Sequence, residues 1–304
     1  MTTRRVIRAA TRASPLARWQ TDHVAALLAT AAAVSVETVL IETLGDRTQA
    51  LGTPLHQLGG QGVFVKEVQA AVLDGRADIA VHSAKDLPSE AAPGLAIVAV
   101  PQRGDPRDAM IGSTLDDLRD GAVVATGSVR RRAQLASIRP DLSFAELRGN
   151  IGTRLQKADR FDAIVLAAVP LHRLGVEDRI AELLTIEVML PMVGQGALAV
   201  ECRVDDHHMI ELLAGIDHYE SHAAVTAERA YLSHIGGGCD LPVGALAVWL
   251  PDGHLRLRAL IASLDGRAIV RDSQVGTDPQ ELGERVAREV LAHGGERLLR
   301  GRVD

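Results

Sequence analysis

The sequence predicts an α/β protein with two lobes of alternating strands and helices joined by two crossings, then a smaller α+β domain. Three observations carry that reading. Short apolar runs alternate with helical stretches from the N-terminus to about residue 200. Two segments rich in glycine or proline, Pro101–Pro106 and Val193–Gly196, interrupt the alternation where a chain can cross between lobes. Beyond about Tyr219 the order becomes helix, three strands and helix, with Asp-Gly turns between the strands.

Arg5–Ala10 reads as a strand. Ser14 is then a helix N-cap and Pro15 suits the first helical position, opening a helix through Trp19, Val24 and Leu28. Val36–Thr43 is a second strand, Val63–Asp74 a helix ending near Gly75, and Asp78–His82 and Leu95–Val100 are further strands. After the first crossing come the strand Ala122–Thr126, the helix Arg130–Ile138, the strand Ser143–Leu147, the helix Gly152–Asp159 and the strand Ala163–Ala167. Ala197–Glu201 is the strand that returns to the first lobe. The last part reads as the helix Ala223–His234, the strands Val243–Leu250, His254–Ala262 and Ala268–Val275, and the helix Pro279–Ala292, with turns at Asp252-Gly253 and Asp265-Gly266. The expected domains are residues 1–101 with 197–216, residues 102–196, and residues 219–304. Two lobes joined by two crossings imply a clam with a cleft and a hinge.

Composition narrows the function. Hydrophobic residues are 47% and aromatics 2%, so the cores must be aliphatic. A net charge of −6 argues against a general nucleic-acid binder. Of 33 basic residues only Lys66, Lys85 and Lys157 are lysines, leaving 30 arginines. A GC-rich genome accounts for such a bias, and so do guanidinium forks gripping carboxylates; the two readings are compatible. Two cysteines make no disulfide framework, the first twelve residues contain no apolar signal core, and no apolar run reaches the ~18 residues that span a bilayer. A cytoplasmic protein away from membranes is expected.

Several strand ends meet chemistry-bearing residues. Thr11 to Ser14 and Thr126 to Arg131 each join a strand to a helix N-terminus, where free N–H groups and the helix dipole favour anions. Ser14 and Ser128 serve as N-caps or as ligand donors; Arg130 to Arg132 form a solvated helix face or an anion grip. Ser83, Lys85 and Asp86 follow the Asp78–His82 strand, at the strand end where open α/β sheets bind ligands; the alternative for Lys85 and Asp86 is a surface ion pair. Arg148 and Arg154 flank Gly149-Asn150 after another strand, with glycine permitting close backbone approach. Cys239 lies in the exposed loop GGGCDLP, a setting that favours thiolate character, whereas Cys202 ends an apolar strand and is expected to be buried and inert. No HExxH or CxxC occurs, so no metal site is indicated.

Taken together, these segments resemble the porphobilinogen deaminase (hydroxymethylbilane synthase) family. The resemblance rests on ATRASPLA at 10–17, GD at 45–46, GVFVKE at 62–67, ADIAVHSAKDLP at 77–88, DPRDA at 105–109, LRGN at 147–150, VGQGA at 193–197 and the Gly-Gly-Cys loop, in family order and spacing across nearly the whole chain. It implies two lobes like those of type II periplasmic binding proteins plus a third domain carrying the cofactor cysteine. It implies a transferase that joins four porphobilinogen molecules head to tail, releases ammonia, and frees hydroxymethylbilane by water. The implied cofactor is dipyrromethane, bound to Cys239 as a thioether, and the implied state is a cytoplasmic monomer.

By the same resemblance, Asp86 stabilises the cationic azafulvene and shuttles protons. The cofactor is held by Ser83, Lys85, Asp86, Thr126, Ser128, Arg130, Arg131 and Arg148. The substrate is met by Arg12, Ser14, Arg154, Arg173 and Gln195, with Phe64 placed either against a pyrrole ring or in the core. Because each porphobilinogen carries an acetate and a propionate, a growing chain needs many guanidinium partners. The chain departs from the family at Gln57 and Gln61, where lysine is common, at Gly127, where serine is common, and at Pro170, where glycine is usual. Two other readings compete. A non-catalytic two-lobed ligand-binding protein fits the lobes but not the cysteine loop; a cysteine hydrolase lacks a convincing base near Cys239, with His222 and His234 only its nearest histidines in sequence.

Overall fold

The computed structural model describes residues 6–32, 34–46, 62, 64–237 and 241–301. Cys239, Gln57 and Gln61 therefore lie outside the described residues. In chain order the elements begin with β1 (Val6–Thr11), α1 (Pro15–Ala32), β2 (Ser35–Leu40), α2 (Lys66–Leu73), β3 (Ile79–Ser83) and β4 (Leu95–Ala99). Next come β5 (Asp108–Ile111), β6 (Val123–Ala125), α3 (Val129–Ile138), β7 (Ser143–Ala145), α4 (Ile151–Gln156), β8 (Ala163–Ala167), α5 (Ala168–Arg173) and β9 (Glu182–Leu183). The rest are β10 (Leu198–Arg203), α6 (His207–Ala214), α7 (Tyr219–His234), β11 (Val243–Trp249), β12 (Leu255–Ala262), β13 (Ile269–Gly276), α8 (Pro279–Val290) and α9 (Glu296–Arg300).

The chain forms two compact units, Met1–Arg103 with Ala197–Ala223, and Gly104–Gly196 with Ala224–Asp304. The first unit is built on a five-stranded sheet of order β2-β1-β3-β10-β4, in which β10 runs antiparallel to both neighbours. Both faces are covered at the centre of the sheet, so β3 and β10 are buried on both sides. Ile7, Ala9, Ile79, Val81, Leu198 and Val200 pack on one face with Val24 and Leu28 of α1. Ala10 and Ala80 pack on the other with Val68, Ala71 and Val72 of α2.

The second unit repeats that design in a sheet of order β7-β6-β8-β5-β9, with β5 antiparallel to β8. It also contains the antiparallel sheet β11-β12-β13. One face of that small sheet buries Val243, Ala245, Leu255 and Leu257 against Tyr231 of α7 and Val286 of α8. Its other face, through Leu246, Leu260 and Ala262, meets Ala133 of α3 and Leu190. Two α/β sheets plus a small α+β layer are the architecture expected from the sequence.

Five elements escape the sequence reading, among them α9, which lies beyond the expected last helix Pro279–Ala292. β5 opens on a charged Asp108 directly after a Pro-Arg pair and looks like linker, while β9 has only two residues. α5 is a single short helix around Pro170, and α6 (HHMIELLA) sits in a stretch with no strong helix-start signal other than its Asp206 cap. The second strand also ends earlier than expected, at Leu40, because the Asp46 carboxylate accepts the Thr43 N–H (3.2 Å) and hydroxyl (2.6 Å) and bends the chain.

Candidate active site

The first unit has a small pocket where β1 and β3 end. Its walls include Arg12, Gln20, Phe64, His82, Ser83 and Asp86. Ser83 is the last residue of β3, and Ala84–Asp86 form a single 3₁₀ turn, so the strand delivers Asp86 to the rim in three residues. The Gln20 amide, from the buried face of α1, donates to the Ser83 hydroxyl at 2.7 Å. Arg12 donates from Nε to Asp46 (3.1 Å) and stacks its guanidinium 4.0 Å from the centre of the Phe64 ring. Asp46 is partly buried, which works against ionisation, but hydrogen bonds from Arg12 and Thr43 hold its carboxyl below the usual carboxylate range. Ser14 acts as a cap, accepting the Ala17 N–H at 3.3 Å.

The second unit gathers a different set. Asp108, at the start of β5, is fully buried, and so are Arg130 (3% exposed) and Arg131 (6% exposed) in the first turn of α3. Arg130 Nη2 donates to Asp108 Oδ2 at 2.7 Å, and Arg131 Nε to Oδ1 at 3.0 Å. Arg130 Nη1 donates to the Leu190 carbonyl (2.7 Å), Arg131 Nη1 to the Val165 carbonyl (3.2 Å), and the Gln195 amide to Asp108 Oδ1 (2.9 Å) and the Pro106 carbonyl (2.6 Å). Burial alone would raise the Asp108 pKa; the two guanidinium charges and the Gln195 bond outweigh it and bring it down to about 2. These arginines therefore do not form a solvated helix face. Ser128 caps the same helix, accepting the Arg131 N–H at 3.5 Å, and Thr126 Oγ1 accepts the Ser128 N–H at 3.3 Å.

The remaining candidates are spread through the second unit. Arg148 pairs with Glu146 at 3.1 Å, both well exposed. Arg154 Nε donates to the Gly149 carbonyl at 2.7 Å. Arg173 donates to the Gly196 carbonyl at 2.9 Å, and burial lowers its pKa to about 10, so it stays cationic near neutrality. Gly196 itself has φ +90, and a Cβ there would lie 2.6 Å from the Gly104 carbonyl. Cys202 is buried, and that burial pushes its thiol up to about 11, which leaves it unreactive near neutrality.

Two of the departures have local causes. At Gly127 a Cβ would sit 2.8 Å from the Leu147 carbonyl, so a side chain here would displace the segment that follows β7. Pro170 stands in the first turn of α5, where a backbone N–H has no helical partner to lose.

A family model for the porphobilinogen deaminase dipyrromethane cofactor-binding domain matches residues 7–211. A second, for the porphobilinogen deaminase C-terminal domain, matches residues 222–292. The chain belongs to the porphobilinogen deaminase family. It is a transferase that condenses porphobilinogen into hydroxymethylbilane on a dipyrromethane cofactor. Solved structures similar to it include the methionine binding protein MetQ, at 12% identity over 72% of this chain and 94% of that one, with a TM-score of 0.43. Immunogenic lipoprotein A from Vibrio vulnificus follows at 12% identity, 73% and 99% coverage and 0.41; the doubly mutated VFT2 domain of Bordetella pertussis BvgS at 17%, 69% and 86%, and 0.40.

The donor set suits a cofactor made of two porphobilinogen units, hence rich in carboxylates. Arg130, Arg131 and Asp108 together carry two positive charges and one negative, all buried, and Arg130 Nε is buried without a partner among the described residues. A carboxylate is the group that such a site lacks. Gln20 and Asp108 are the side chains that sequence reasoning missed. Gln20 is polar on the buried face of an apolar helix, a signal visible only once that face is known; Asp108 lies inside the DPRDA motif but reads as part of a crossing.

Proposed function

We propose that Asp86 is the catalytic acid–base group and that the arginines hold the carboxylates of the oligopyrrole. The observation that carries this is the Asp86 carboxylate in the wall of a pocket it shares with Arg12, Gln20 and Ser83. When ammonia leaves porphobilinogen, positive charge develops on the pyrrole nitrogen, and a fixed carboxylate beside that N–H lowers the barrier. Asp86 then accepts the proton lost from the attacking pyrrole carbon. Dipyrromethane, when bound, supplies the terminal pyrrole carbon to which the first substrate is joined.

Around that step, Arg12, Ser14, Lys85, Arg154 and Arg173 pair with substrate carboxylates, and Gln195 adds an amide. Ser83, Thr126, Ser128, Arg131 and Arg148 bind the cofactor, whose thioether is made by Cys239. Arg130, whose Nη groups go to Asp108 and the Leu190 carbonyl, binds the cofactor too, through its Nε, which is unpartnered among the described residues. Phe64 orients Arg12 through the face of its ring. The chain works as a cytoplasmic monomer without nucleic acid, in three domains: residues 1–101 with 197–216, residues 102–196, and residues 219–304. No helix of the described residues is long and apolar enough to cross a membrane.

Steady-state turnover of Asp86→Asn tests the central role. A fall in kcat of about 10²–10⁴-fold is expected, the usual worth of a general acid–base group, with the melting temperature unchanged. Wild-type kcat in that variant would remove Asp86 from the mechanism.

A further inference from the structure

In the second unit, one carboxylate does the work of several. Asp108 Oδ2 takes Arg130; Oδ1 takes Arg131 Nε, Arg131 Nη2 at 2.8 Å, and the Gln195 amide. Two segments are thereby fastened to β5: the first turn of α3 by its two arginines, and the crossing Val193–Gly196 by its glutamine. That crossing is held from a second side. Glu228 of α7, also fully buried, accepts the Gly194 N–H at 2.7 Å with one oxygen and the Ala247 N–H of β11 at 2.9 Å with the other. Gln195 therefore sits between two buried anchors and has little freedom to re-aim.

Charge balance adds to the geometry. A buried ion cluster is stable when its charges compensate, and removing one partner leaves an uncompensated charge in a dry site. Here two guanidiniums face one carboxylate, an excess of one positive charge, with Arg130 Nε unpartnered among the described residues. The low pKa of Asp108, about 2, means that it does not release its partners near neutrality.

We propose that Asp108 is a positioning residue that locks Arg130, Arg131 and Gln195 into one block and leaves that block a single unpaired positive charge, sized for one carboxylate of the bound oligopyrrole. The proposal rests on the carboxylate-binding reading given above. Arg130 supplies the Nε that is unpartnered among the described residues, Arg131 shares the Asp108 carboxylate, and Asp108 sets both the aim and the sign.

Two substitutions move that charge in opposite directions on the full-length protein. Asp108→Asn raises the excess by one; Arg130→Gln cancels it. Citrate, a tricarboxylate probe, is titrated by thermal shift on full-length chains shown by intact mass to carry no primer, alongside kcat and KM of the primer-loaded chains. Relative to wild type, Asp108→Asn is expected to bind citrate severalfold more tightly while kcat falls about 100-fold, because Arg131 and Gln195 lose their aim; this opposition is not produced by a loss of stability alone. Arg130→Gln is expected to bind citrate about tenfold more weakly and to raise KM by a similar factor. Should Asp108→Asn fail to fold, Asp108→Glu keeps the charge but displaces it by one methylene, so citrate affinity stays within about twofold of wild type while kcat drops. Equal citrate affinity in wild type and Arg130→Gln, or wild-type kcat in Asp108→Glu, overturns the proposal. The intact mass of the wild-type chain from a host that makes porphobilinogen tests the oligopyrrole reading separately: if that chain carries two extra pyrrole units while the primer-free chains fail the citrate ordering, the failure counts against Asp108 alone.

Discussion

Arg12 with Asp46 and Arg131 with Asp108 are both guanidinium–carboxylate pairs at the start of a helix, yet they are held in opposite ways. The first pair is half-open: Arg12 lines a pocket, rests on the Phe64 ring, and its aspartate partner keeps 27% of its side chain exposed. The second is dry, with the aspartate shared between two arginines and an amide. An exposed pair can exchange one carboxylate for another at little cost, because water stabilises each state. A dry cluster cannot, because every charge in it must be met before the site closes. The first arrangement suits a place where substrates arrive and move on; the second suits a place where a primer is fixed.

Acid stability sharpens that contrast most. The Asp108 pKa is depressed, so its contribution is fully present above the unfolded-state value of about 3.8 and is lost as pH falls through about 2. The shift corresponds to about 2 kcal/mol. Denaturant titrations between pH 5 and 2 are expected to show this loss in wild type and a much smaller one in Asp108→Asn. Parallel curves would mean that the buried carboxylate is not the group responsible.

A smaller effect is expected at the open pair. Asp46→Asn leaves Arg12 without its charged partner but still on Phe64, so KM for porphobilinogen should rise severalfold with kcat nearly intact, since uniform binding is what is lost. A fall in kcat with KM unchanged would place Arg12 in the chemical step instead. Least of all should follow from the exposed Arg148–Glu146 pair: Glu146→Gln is expected to change stability by less than about 0.5 kcal/mol in chemical denaturation. A loss above 1 kcal/mol would show that exposure does not decide the worth of these pairs.

Much of this molecule is legible in its sequence. Strand and helix periods give the five strands of the first sheet and three of the five in the second, the Asp-Gly turns locate the three strands of the small sheet, and Ser14 and Ser128 mark helix starts that the structure keeps. Asp86 is predictable as a strand-end residue because β3 is apolar up to His82 and polar afterwards. Partnership is not legible. Whether Arg130 and Arg131 face water or the interior depends on Asp108, more than twenty residues away and across a sheet. The orientation of Gln20 depends on Ser83, 63 residues on. β5 is hidden for the same reason: its first residue is charged, and only the arginines that neutralise it make the strand possible.

The division of labour between the two regions is tested most directly by intact-protein mass spectrometry of two variants expressed in a host that makes porphobilinogen. Asp86→Asn should carry the two-pyrrole mass increment of wild type and elongate it very slowly, whereas Arg131→Leu should fold but lack most of that increment. An Asp86→Asn chain without primer, beside an Arg131→Leu chain that carries it in full, would contradict the assignment of chemistry to the pocket and of binding to the buried arginines.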